Sequence, residues 1–245
     1  MKKLLLAAIS IAALSTSAFA ADMPVKAAAK KVVAVPIYNW SGLYIGGHAG
    51  YGWGDADWRL VSATGAVPDR STTNVSHKPK GAVGGVQIGL NQQLGQWVYG
   101  VELSWSAAGI KGTSISTVGA ADDNFKTKID SIFLASGRFG YAWDRTLLYA
   151  KGGYANAEIK TSTTDTVGAS QGSASVNKRH GGYVLGVGLE YAWIPNWTVG
   201  VEYDYISLNK KTHTQVFNGA GGTTVDSVDA KVHEVLARLN YKFGS

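Results

Sequence analysis

Eight charged side chains have the types and spacing to do chemistry together. They are Glu102, Glu190, Glu202, Asp204 and Glu234, with Arg138, Lys151 and Arg238. Two carboxylates held side by side would form a general acid–base pair. Carboxylates held against arginine and lysine would form a salt-bridged plug, since an unpaired buried charge is costly. The plug is the reading the sequence supports, because nothing in the chain supplies a substrate cleft. No catalytic residue is assigned and no enzyme activity is expected.

The histidines His48, His77, His180, His213 and His233 lack the helical i, i+4 spacing of a zinc protease. His213 and His233 flank the last long polar segment and are close enough in the pattern that they could meet near the outer rim, where a metal or haem would be held. Solvated loop histidines are the preferred reading. No histidine has a serine two residues later, the spacing a strand-borne dyad would use. Asp122-Asp123 is too small a ligand set for calcium. The chain has no cysteine, hence no disulfide and no thiolate metal site. No cofactor and no metal are therefore expected.

The elements that must position these charges are strands. Over the last fifteen residues, 229–243, Val235, Ala237, Leu239, Tyr241 and Phe243 fall on one face. Glu234, Arg238, Asn240 and Lys242 fall on the other, with Leu236 among them. Side chains alternate across a strand, so this strand is apolar on one side and charged on the other. Seven more segments show the same period, near 40–53, 82–94, 97–110, 126–143, 147–160, 178–193 and 197–208. In the first, Leu43, Ile45, Tyr51 and Trp53 oppose Tyr44 and His48. In the fifth the alternation is weakest, with Leu148, Ala150 and Tyr154 set outward and Lys151 inward. The richer supply of apolar and aromatic groups belongs on the surface, so the surrounding solvent is lipid. A soluble sandwich or lipocalin-like carrier would need the opposite parity.

Connections alternate in length. Gly95-Gln96, Asp144-Arg145-Thr146 and Ile194-Pro195-Asn196 are tight turns, whereas 54–81, 111–125, 161–177 and 209–228 are long and polar. Short turns on one side and long loops on the other are the outer-membrane pattern, with short turns facing the periplasm. Trp97, Trp143, Trp193, Trp197, Tyr141, Tyr191 and Phe243 adjoin the tight turns and form the expected periplasmic girdle. Export follows from the other end: Lys2-Lys3, an apolar run over 4–14 and Ala18-Phe19-Ala20 read as a cleaved signal peptide, residues 1–20. The apolar run is too short to span a membrane as a helix. Residues 21–38 read as a flexible periplasmic linker, and 39–243 as the barrel domain. Losing Lys2 and Lys3 lowers the formal charge of +6 by two. The basic residues are scattered, so no nucleic-acid partner is expected.

Asn39-Trp40-Ser41-Gly42-Leu43-Tyr44-Ile45-Gly46-Gly47 resembles the opening strand of the alphaproteobacterial outer-membrane immunogenic proteins, also called porin-family or RopB-family proteins. Ser136-Gly137-Arg138-Phe139-Gly140-Tyr141-Ala142-Trp143-Asp144-Arg145 resembles their fourth strand and turn. The segments 148–154 and 236–243 match the fifth and eighth strands. The resemblance covers about 40–243. It implies an all-β fold, an eight-stranded antiparallel up-and-down transmembrane β-barrel of the OmpA-like type, in the cell outer membrane. It also implies a non-enzymatic role in envelope integrity and surface interaction through long extracellular loops. The alternative is a narrow porin, or a barrel that captures a ligand such as haem. Expected partners are outer-membrane lipid, lipopolysaccharide and, through the last strand, the β-barrel assembly machinery; no external ligand is assigned. Family members commonly end at the aromatic residue, whereas Gly244 and Ser245 follow Phe243 here.

Overall fold

Alternation of side chains over long runs, broken by turn residues, gives the described residues strands and no helix. The computed structural model describes residues 38–65, 75–115, 124–165, 172–219 and 222–244. The expected signal peptide, nearly all of the linker, and Asp122-Asp123 lie outside these. Eight long strands occur: β1 (Gly42–Thr64), β2 (Lys80–Leu94), β3 (Trp97–Ile115), β4 (Asn124–Trp143), β5 (Thr146–Asp165), β6 (Gly172–Ile194), β7 (Trp197–Val216) and β8 (Thr223–Lys242). Each pairs antiparallel with the next, and β8 pairs with β1 from Tyr44↔Lys242 onward, closing the ring. Closure leaves no edge, so every backbone polar group at membrane depth finds a strand partner. Val75–His77 adds a short strand to β1, and Asn218–Gly219 one to β6.

Most of the strands outrun the segments read from the alternation. β1 continues eleven residues past Trp53, and β6 starts six residues before Lys178. These extensions all lie at the long-loop end. At the other end the turns are as tight as expected. Gly95 and Asp144 take positive φ, 61° and 52°, which glycine and aspartate tolerate best among ordinary residues. There the ring is tied by Phe243 N–H donating to Leu43 O at 2.8 Å and Lys242 N–H donating to Asn196 O at 2.7 Å.

Over the half of the barrel nearest the tight turns, apolar side chains point out and polar ones in. Leu43, Ile45, Leu103, Phe139, Leu148, Leu185, Val201 and Leu239 are exposed, whereas Glu102, Arg138, Lys151, Glu190, Glu202 and Arg238 are buried. The weakly alternating β5 follows the expected parity. Trp97 stacks on Phe139, and Trp197 and Tyr241 meet edge to face at 5.2 Å, within the expected girdle. Trp40 does not join that girdle. It turns under the barrel, buried with Val98, Ala142, Leu147, Tyr149 and Ala192, and floors the lumen.

Toward the long-loop end the chemistry of the two faces exchanges. Inward positions become Val83, Ile110, Ile129, Ile132, Ile159, Val184, Ile206 and Val232. Outward positions on the same strands become Lys80, Lys111, Lys128, Lys160 and Lys231. Register shifts fall near this level, between Ala107 and Ile110, Ile129 and Ser131, and Val228 and Ala230, as bulges that let strands bend around the changed interior.

Candidate functional site

The site is the lumen, and its lower layer is built from charges on six strands. Arg138 on β4 reaches Glu190 on β6 at 2.5 Å and Glu102 on β3 at 3.4 Å. Arg238 on β8 bridges Glu102 and Glu202, so it joins opposite parts of the ring. Lys151 on β5 lies 2.7 Å from Glu202 Oε1 and 2.8 Å from Asp204 Oδ2. Tyrosines complete the layer. Tyr44 donates to Glu102 at 2.6 Å and Tyr149 to Glu202 at 2.5 Å. The Arg138 guanidinium lies 3.8 Å from the Tyr149 ring centroid and 5.4 Å from that of Tyr44, a cation–π clamp from both.

Glycines make room for this packing. A Cβ at Gly89 would fall on the Tyr44 ring, and one at Gly188 on the Tyr149 ring. The inward glycines of β2 and β6 are therefore sockets for tyrosine, which the alternation pattern alone did not indicate.

Polar side chains continue the hydrogen bonding on both sides of the charges, from Ser106 on the long-loop side of Glu102 to Asn240 and Lys242 on the tight-turn side of Arg238. His48 Nδ1 lies 2.7 Å from Gln87 Oε1 and its Nε2 lies 2.8 Å from Ser106 Oγ; Gln87 in turn donates to Asn240 at 2.7 Å. Lys242 donates to the Asn39 carbonyl at 2.7 Å.

The expected pairing of every acid holds for four of the five. Glu234 is buried with both carboxylate oxygens free of hydrogen bonds, beside Asp204 across the β7–β8 ladder. Asp204 keeps its lysine, although the contact lacks hydrogen-bond geometry. The lumen thus carries five carboxylates against three cations at this level. A single Lys151 is flanked by Glu202 and Asp204, and among the described residues no cation forms an ion pair with Glu234.

Above the charges sits the apolar layer already named, and above that a polar cap. Trp58 packs edge to face on Phe125 and donates to Thr127 Oγ1 at 3.0 Å. His180 and His213 meet there with their Nε2 atoms 2.8 Å apart. His180 Nδ1 lies 3.1 Å from the Asn209 carbonyl, so it must carry the proton, and its Nε2 accepts. His213 then donates from Nε2, and its Nδ1 accepts from Thr161 at 3.0 Å. Both rings are neutral in this pattern. The pair lies beyond the apolar outer band, where Lys178, Arg179 and Lys211 are exposed. Burial lowers the affinity of both rings for a proton. His213 is pushed down to about 4 by burial first, then by His180 and Lys178.

The sequence left open that His213 could meet His233. The structure separates them: His213 points inward, while His233 points outward against Trp53, Tyr203 and Tyr205, with Tyr203 Oη 2.7 Å from its Nδ1. One residue of parity decides it, because position 213 is inward on β7 and 233 outward on β8. His180, which sequence reasoning left unpaired, is its true neighbour, and inward parity on β6 was the available signal. Among the described residues no group of three His, Asp or Glu side chains is placed to hold a metal ion.

One groove, between Ile45, Val86, Trp105 and Phe133, lies on the outward apolar band, a space between lipid-facing side chains. Chemically, Arg138, Lys151 and Arg238 offset part of the carboxylate charge across the lumen.

Comparison with known proteins agrees with this geometry. Residues 5–243 match the family model described as outer membrane protein beta-barrel domain. The chain is 32% identical to the 31 kDa outer-membrane immunogenic protein of Brucella melitensis biotype 1, over 99% of this chain and all of that one. It is 32% identical to the 22 kDa outer membrane protein of Rhizobium leguminosarum bv. viciae, over 73% of this chain and 69% of the relative. Among solved structures, OprG of Pseudomonas aeruginosa superposes with a TM-score of 0.51 at 13% identity, covering 85% of this chain and 98% of that one, a likeness of fold alone. With its closed eight-stranded ring, lipid-facing apolar band and whole-length relatives, the chain belongs to the outer-membrane β-barrel family and resides in the cell outer membrane.

Proposed function

We propose that this barrel is a non-enzymatic component of the envelope, a closed wall element rather than a pore, with its long loops toward the exterior. The observation that carries this reading is the ion network of Arg138, Arg238 and Lys151, which ties β3, β4, β5, β6, β7 and β8 across the lumen. In an eight-stranded barrel the interior is just wide enough for side chains to fill. An apolar layer stacked on the charges adds a second seal, since an ion crossing it would lose hydration without gaining a partner. The tight turns face the periplasm in this reading. The last strand, ending Tyr241-Lys242-Phe243, is the segment the assembly machinery recognises. The word "immunogenic" in the relatives' names supports loops open to the outside.

Deletion of the gene tests the role. Loss of the barrel is expected to raise sensitivity to detergents and entry of a hydrophobic dye. Wild-type protein should restore the barrier, and an unchanged envelope in the deletion strain would overturn the proposal. Lipid A from an overexpressing strain should keep its mass; a shift would show lipid-modifying activity instead.

A further inference from the structure

At the level where the faces exchange chemistry, four lysines stand in one cross-strand row. Lys80 on β2 is directly opposite Lys111 on β3, Lys111 is opposite Lys128 on β4, and Lys128 is opposite Lys160 on β5. Directly opposed residues of antiparallel strands point to the same side, and here that side is outward. Like charges directly opposite destabilise a sheet. Three successive like-charge pairs are not what strand pairing alone would produce. Lys128 reaches Asp130 on its own strand, while Lys80, Lys111 and Lys160 form no ion pair among the described residues.

Height on the barrel says what meets the row. Lys111 lies six residues beyond Trp105, the last exposed aromatic of β3. At ~3.3 Å per residue and a strand tilt of ~40°, that is about 15 Å farther along the barrel axis, above a lipid-facing band of about 25 Å. The row therefore flanks the headgroup layer, on the side of the wall where lipids pack. Adjacent strands are about 4.8 Å apart, so the four ammonium groups form an arc spanning three spacings. Lysine ammonium is a compact point charge suited to phosphate oxygens.

We propose that Lys80, Lys111, Lys128 and Lys160 form a binding site for the phosphorylated headgroup of an outer-leaflet glycolipid. The proposal rests on the orientation given above, with the long-loop end outward. The bound anions neutralise the row, so the barrel is more stable with its lipid than the sheet alone allows.

The test uses the full-length mature protein folded in a zwitterionic detergent, with bis-phosphorylated lipid A as probe. Wild type and the variant K80Q/K111Q/K128Q/K160Q are compared with K178Q/K210Q/K211Q/K231Q, which loses the same charge elsewhere on the rim. Native mass spectrometry should show lipid A binding weakened at least tenfold in the row variant and within twofold of wild type in the control. Dephosphorylated lipid A should bind all three alike, and inorganic phosphate should compete only at concentrations far above those of lipid A. Equal loss in both variants, or no loss in the row variant, overturns the site. Phosphate competing as well as lipid A also overturns it, showing a general anion site. A second readout survives poor folding of the quadruple variant. The single substitution Lys111→Gln should raise the melting midpoint without lipid A and reduce the upward shift that lipid A gives. A lowered midpoint without lipid would contradict the cost assigned to the row. Envelope sensitivity of a deletion strain is unaffected by any of these outcomes, so failure here leaves the wall-element reading standing.

Discussion

The two halves of the barrel wall are the same strands with their chemistry inverted. Near the tight turns, β8 sets Val235 and Leu239 outward and Glu234 and Arg238 inward; farther up it sets Lys231 outward and Val232 and Val228 inward. β4 does likewise, with Phe139 outward and Arg138 inward below, then Lys128 outward and Ile129 inward above. The lower half is an inside-out protein whose solvent is lipid. The upper half is arranged as any water-soluble barrel is. The difference shows that one closed sheet can be held together by two unlike cores. Desolvated charges must pair in one, and apolar side chains need only fill space in the other.

Breaking each core separately sharpens the contrast. The largest effect is expected at Arg238, which bridges Glu102 and Glu202. Arg238→Ala leaves two buried carboxylates short of a partner and should cost about 3–5 kcal/mol. The shift of the unfolding midpoint in urea, with folded and unfolded forms separated by heat-modifiable gel mobility, would measure it. Adding Glu102→Gln should recover part of the loss, and a double variant no better than the single would deny the coupling.

In the upper core Ile129→Ala should cost about 2–4 kcal/mol through lost burial and an incompletely collapsed cavity. No second substitution of a neighbouring residue to a neutral polar isostere should rescue it. Rescue of this variant by a charge change in the lower layer would mean that the two cores are not distinct.

A smaller effect depends on pH. His213 is held at about 4 in the folded protein, below the ~6.5 of an unfolded chain. The unfolded form therefore binds more protons between those values. The stability associated with the neutral His180–His213 pair is complete above pH 6.5 and declines as pH falls toward 4. The melting midpoint of wild type should fall more steeply over that window than that of His213→Asn, and parallel curves would refute the assignment. Asp226, opposite His213 on β8, is the nearest inward acid by register and is the residue to keep constant in this comparison.

The smallest effect is expected at Glu234. Its carboxylate accepts no hydrogen bond, so Glu234→Gln should change stability by less than about 1 kcal/mol or raise it. Glu202→Gln, which removes the charge facing Arg238 and Lys151, should be distinctly destabilising. Equal costs for the two substitutions would show that Glu234 has a partner.

The lower half was legible in the sequence because lipid on one side and charges on the other give the strongest alternation a strand can show. Tyr44, Arg138, Lys151 and Arg238 were all placed inward on that signal, and they are inward. The upper half was not legible. Beyond Trp53 on β1 the outward residues are Asp55, Asp57 and Arg59, while Gly54 and Ala56 take inward positions, so polar residues stood where apolar ones had been and the strand read as a loop. Within the site, pattern gave each residue a face but not a neighbour. That left Glu234 paired on paper, and offered His233 rather than His180 as the neighbour His213 could reach. The sockets at Gly89 and Gly188 depend on cross-strand register, which alternation does not contain.

The central claim is that the two cores together close the lumen. Planar-bilayer recording of the purified wild-type barrel tests it most directly. The structure predicts a current no greater than that of the lipid alone, with at most brief openings when an ion pair breaks; a steady, large-pore conductance from the pure protein would contradict it.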